Sequence, residues 1–158
     1  MSARKISYIS MLSALAIVFG YIESLFPAAP IPGIKLGLSN IVILFAIYRM
    51  DKSSAFFIML IKVLVTSLLF SGLNVFLYSF AGGLLSLFAM ICFKRLFSLS
   101  GVSMIGGVCH NMGQLFVAAF MMKSQAVFVY TPYLLISGII VGFITGTVCQ
   151  IILKYKTE

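Results

Sequence analysis

The chain is poor in charge. Only 9% of its 158 residues are charged, with three acidic residues and a single histidine. A soluble domain carries about 25% charged residues. At 62% hydrophobic residues, a chain this small cannot hide its apolar side chains from water, because small domains leave much of their surface exposed. The composition describes one integral membrane domain, with lipid as the solvent for most side chains and no room for a second domain.

The other shortages exclude chemistries. One of the three carboxylates is the final residue, Glu158, and another is Asp51 in a loop. They cannot build the D-D-x-x-D type of cluster that holds magnesium on a diphosphate during prenyl transfer, so the chain is read as not an enzyme. One histidine cannot supply two axial haem ligands, and no C-x-x-C-H attaches a haem. Cys92, Cys109 and Cys149 lie in separate apolar segments without a C-x-x-C pair. They suggest neither a zinc site nor a disulfide framework and read as small buried hydrophobes. With no P-loop there is no ATP hydrolysis in this chain. No metal and no intrinsic cofactor is expected.

What the chain does have is apolar runs. A bilayer core of about 30 Å needs about 20 residues of helix. Six spans are predicted, over 6–26, 34–49, 53–71, 74–93, 102–122 and 131–153, the second short for a full crossing. Arg4 and Lys5, an apolar stretch and "PAAP" imitate a signal peptide. Cleavage there would leave a chain that is still polytopic, so the first run is read as a retained helix.

The net charge of +8 would raise nucleic acid in a soluble protein. Here the cations fall between apolar runs, and topology accounts for them; no nucleic-acid partner is expected. With the N-terminus in the cytoplasm, Arg4, Lys5, Arg49, Lys52, Lys94, Arg95, Lys154 and Lys156 lie inside. Lys35 and Lys123 lie outside, and Lys62 falls within a span. The excess of inner cations predicts a multi-pass plasma-membrane protein with both termini in the cytoplasm. The stiff "PAAPIPG" loop then faces outward, as a lid or as a plain connector.

Ionisable groups inside a membrane segment are expensive and point to function. Glu23, Lys62 and His110 are such groups, and Asn40, Asn74, Tyr78, Asn111 and Gln114 join them as neutral polar candidates. Placed by depth, most fall between the midplane and the outer surface, with Lys35 at the outer mouth. In "GGVCHNMGQLF", His110 and Gln114 are four apart and share one helix face, and Asn111 is turned about 100° away. The expectation is a ligand pocket open to the outside, in which Lys62 and Lys35 suit an anionic or carbonyl-bearing ligand. The alternative is hydrogen-bond glue between helices. Small residues recur at packing spacing in Ala16/Gly20, Gly106/Gly113 and Gly138/Gly142/Gly146.

The blocks "PGIKLGL", "LYSFAGGLLS" and "HNMGQL" resemble the small bacterial Gx transporter family, also labelled heptaprenyl diphosphate synthase component I; the similarity runs from about residue 8 to residue 153. That family is similar to the S components of energy-coupling factor transporters. The resemblance implies an all-α bundle of six transmembrane helices that binds a small, isoprenoid-like or quinone-like ligand from outside under the first loop. It implies partners, a transmembrane coupling subunit and ATPases, met through small residues on the first helix. Ala16 and Gly20 are the nearest match to that stripe. Members in some Gram-positive bacteria are associated with flavin-based extracellular electron transfer, which implies instead a flavin-bearing membrane partner and a bound quinone or flavin. The label implies a third role, as an accessory subunit of heptaprenyl diphosphate synthesis.

Overall fold

A computed structural model describes residues 3–25, 37–70 and 72–155. Its helices are α1 (Ala3–Leu25), α2 (Asn40–Arg49), α3 (Lys52–Phe70), α4 (Gly72–Phe93), α5 (Leu99–Met122) and α6 (Thr131–Tyr155), with a 3₁₀ turn over Gln125–Tyr130 before α6. No strand occurs among the described residues. Five helices are long and apolar enough to cross a membrane, and Leu68, Leu73, Phe88, Phe120 and Ile136 stand exposed on them. In water such a girdle would drive aggregation; in lipid it is the expected outer surface.

The second span is corrected. The span was expected over 34–49, short for a full crossing; residues 34–36 lie outside the described residues, 37–39 precede the helix as a turn, and α2 has ten residues, about 15 Å at ~1.5 Å per residue. It cannot cross a bilayer core of about 30 Å alone. It is instead the hub of the bundle. Asn40, Val42, Ile43, Leu44, Ala46 and Ile47 are buried, and α2 touches all five long helices. Those helices follow one another around it in the order α1, α3, α4, α5, α6.

Both ends of the α1–α2 pair are clasped. At one end the Glu23 carboxylate accepts hydrogen bonds from the turn before α2. At the other, Lys5 of α1 pairs with Asp51 at 2.8 Å. Asp51 also begins α3, accepting from the Ser54 backbone N–H at 3.3 Å and its hydroxyl at 2.7 Å, which is the capping role of an aspartate at a helix start. Lys94 closes the same end of α2: its Nζ donates to the Ile47 carbonyl at 2.7 Å and lies 4.6 Å from the Tyr48 ring centre. A cation there meets the negative end of the helix dipole.

The glycine stripe of α6 packs inward, onto α5. A Cβ on Gly138 would lie 2.9 Å from the Val108 nitrogen and 3.0 Å from the Gly107 carbonyl, so the two backbones meet where neither has a side chain. Gly142 and Gly146 continue the seam against Ser103, Met104 and Ser100. In lipid, where helices gain nothing from hydrophobic exclusion, such close approach is a main source of association. The Ser103 and Thr145 hydroxyls bridge the seam at 2.9 Å.

The Ala16/Gly20 stripe, expected to meet a partner helix, also faces inward. Ala16 is fully buried, and a Cβ on Gly20 would sit 3.0 Å from Thr66 Cγ2 and 3.4 Å from Lys62 Cε. The stripe brings α1 onto α3, and α1 turns Met11, Leu15, Val18 and Ile22 outward instead.

Candidate functional site

The sequence "GLSN" ahead of the apolar run of α2 reads as a helix start. The structure makes it a buried turn. Gly37 has φ +87°, which an L side chain adopts only with strain. Non-helical backbone inside a membrane bundle needs internal partners for its N–H groups, and Glu23 supplies them. Its Oε1 accepts from Gly37 N–H and, at 2.7 Å, from Leu38 N–H, while Oε2 accepts from the Ser39 hydroxyl at 3.1 Å. The carboxylate thus sits at the positive end of the α2 dipole, where negative charge is favoured.

On the other side of this turn stand Asn40 and His110. A Cβ on Gly37 would lie 2.8 Å from Asn40 Nδ2 and 3.4 Å from His110 Cδ2, so both side chains reach one point. His110 and Gln114 are buried and joined through His110 Nε2 and the Gln114 amide nitrogen at 3.0 Å. Gly82 of α4 lets this pair fit: a Cβ there would come within 2.7 Å of the His110 carbonyl oxygen and 2.9 Å of Gln114 Cγ.

Asn40 is the residue that stands out. It is only 7% exposed, yet neither its amide oxygen nor its nitrogen has a hydrogen-bond partner among the described residues. An amide buried without partners is destabilising by roughly 1–3 kcal/mol. Such an amide at a helix start, beside an imidazole and a second amide, offers donors and an acceptor to a polar group of matching size.

The remaining sequence candidates divide. Lys62 is buried on α3, its stem against Gly20 and beside Thr66, whose hydroxyl donates to the Lys62 carbonyl at 2.8 Å. Asn111 faces away from the cluster. Its Nδ2 donates to the Leu134 carbonyl at 2.8 Å and to the Ser137 hydroxyl at 3.2 Å on α6. Tyr78 is buried elsewhere, with Leu115, Ala118, Val127 and Leu134. Asn74 is exposed. Lys35 and the "PAAPIPG" loop fall outside the described residues. Sequence reasoning missed Gly37, Ser39 and Gly82. The Gly-x-Ser-Asn start signal was available for the first two; Gly82 shows its role only once α4 and α5 cross.

A model of the family described as heptaprenyl diphosphate synthase component I matches residues 12–152. The matched region contains the whole cluster, from Glu23 to Gln114. No curated protein and no solved structure matches this chain. Covering nearly its whole length, the family match assigns the chain: it belongs to the heptaprenyl diphosphate synthase component I family.

Proposed function

We propose that the protein is a membrane-embedded binding module that takes a small ligand with a polar head, isoprenoid-like or quinone-like, into the cluster of Asn40, His110 and Gln114, and works with a transmembrane coupling subunit. The observation that carries this reading is the Asn40 amide, buried without a partner among the described residues. A carbonyl or hydroxyl on a ligand would satisfy it. Orientation supports access from outside. Lys5, Arg49, Lys52 and Lys94 gather at the Asp51 end of the bundle. The positive-inside rule makes that end cytoplasmic, and Asn40 begins α2 at its far end. On that reading both termini lie on the cytoplasmic side.

The family description favours a second reading, an accessory subunit of heptaprenyl diphosphate synthesis. Glu23 and Asp51 are held at opposite ends of α2, so they do not form a diphosphate–magnesium pair, and such a role is non-catalytic.

Native mass spectrometry of protein released from its own membrane tests the first reading. The wild type is expected to carry one small molecule, and Asn40→Leu, near in volume, to lose it while remaining folded. A chain with no adduct, or an adduct unchanged by both Asn40→Leu and His110→Leu, would refute it. Identification of the adduct as a flavin would place the protein in electron transfer rather than uptake.

A further inference from the structure

The ring of long helices around α2 is not closed. Among the described residues α1 and α6 do not touch. Between them runs a groove of about 190 Å³, floored by Ile41 and Phe45 of α2 and walled by Leu15 and Phe19 of α1 and Val148 and Ile152 of α6. Every side chain along it is apolar or the thiol Cys149. Leu15, Val148 and Ile152 are exposed, so the groove opens to the bilayer.

At the Asp51 end the groove meets a second cavity of about 590 Å³, Leu12 and Phe45 lining both. The cavity's polar wall consists of Arg4, Lys5, Arg49, Tyr8 and Asp51. Helix geometry makes the two continuous. Arg4, Tyr8, Met11 and Leu15 follow one face of α1, and Ile41, Phe45 and Arg49 one face of α2, at steps of three or four residues. Each face carries its cation at the same end and apolar groups beyond it. Lys5 is tied to Asp51 at 2.8 Å, and among the described residues the wall carries three cations against one carboxylate.

We propose that this composite groove binds one anionic phospholipid from the leaflet at the cationic end of the bundle. Its phosphate lies against Arg4 and Arg49, and an acyl chain fills the gap between α1 and α6 and covers the edge of α2. The charge of the wall selects an anionic head, and the continuity of cavity and groove selects an amphiphile over a soluble anion. Basic pockets between membrane helices on the cytoplasmic side recognise such headgroups in this way. The site is separate from the Asn40 cluster and stands or falls independently of it.

The full chain, reconstituted in nanodiscs of phosphatidylcholine with a minority of phosphatidylglycerol and released for native mass spectrometry, tests the proposal. Wild type is expected to retain one phosphatidylglycerol in preference to phosphatidylcholine. Arg4→Gln/Arg49→Gln is expected to lower that preference about 30-fold, from two cations near an anionic lipid. Leu15→Trp, which fills the groove and leaves both arginines in place, should also lower retention. Arg95→Gln, which removes a cation outside the cavity, should not. Equal retention of both lipids, an undiminished preference in the double variant, or an equal loss with Arg95→Gln would overturn the proposal. Preferential capture of a polyprenyl diphosphate added in competition would overturn it too.

Discussion

Two faces of α5, one residue apart in sequence, do different work. Asn111 and Ser103 face α6, where Asn111 Nδ2 donates to the Leu134 carbonyl and the Ser137 hydroxyl and the Ser103 and Thr145 hydroxyls pair, while Asn111 Oδ1 has no partner among the described residues. Glycines beneath them let the backbones touch. His110 and Gln114 face α4 and the start of α2, where Asn40 keeps an amide without a partner among the described residues. Polarity alone does not separate a binding site from helix glue. The two amides differ in how much is left unmade: the Asn111 amide makes two hydrogen bonds across the seam and the Asn40 amide none among the described residues, and lipid supplies no hydrogen bonds in their place.

The largest expected effect comes from breaking the α5–α6 seam at its backbone. Gly138→Leu drives a side chain into the Val108 nitrogen and the Gly107 carbonyl, which cannot give way as a side-chain tip does. A loss of about 3 kcal/mol or more, read as detergent unfolding or failure to accumulate in the membrane, is expected; a variant of wild-type stability would show that α5 and α6 are held by something else.

Next in size is a paired substitution that sharpens the contrast. Asn111→Ala removes two hydrogen bonds across the seam and should cost about 1 kcal/mol of stability with the co-purified ligand retained. Asn40→Leu replaces an amide that has no protein partner among the described residues and should leave ligand-free stability unchanged or raised, because an unmet polar group is removed. Unfolding curves of the two ligand-free variants check this; a larger loss for Asn40→Leu would make Asn40 a structural residue.

The smallest effect lies away from both faces, at the Lys5–Asp51 clasp. Hydrogen bonds from Lys5 and then Ser54 hold the Asp51 carboxyl down from 3.8 to about 2. A lowered folded-state value means the contribution is present above 3.8 and is lost as pH falls through that value to about 2. The pair is solvent-exposed, so the effect is slight. Asp51→Asn should flatten the acid limb of stability over that window and change little at neutral pH; an unchanged acid limb would dismiss the clasp.

Much of this was legible in the sequence. Hydropathy located the five long helices within a few residues, since lipid demands long apolar runs whatever their packing. The four-residue spacing of His110 and Gln114 placed them on one face, as helix geometry requires. The length of α2 was not legible, because Leu38 and Ser39, which the structure places in a turn, continue the apolar run of α2 and read as part of its helix. The Ala16/Gly20 stripe was visible, but spacing carries no direction: a small-residue row fits a neighbour in the same chain as well as one in another protein.

The sequence by itself determined the solvent, the class of fold, the cationic end and the inventory of polar groups, because each depends on composition and on periodicity along one helix. Only the tertiary structure decided which polar groups meet. Glu23 and Gly37 are fourteen residues apart and Gly37 and His110 much further, and their meeting depends on how α1, α2 and α5 cross. That crossing is set by where glycines let backbones approach. It is a property of pairs of helices, and no single helix carries it.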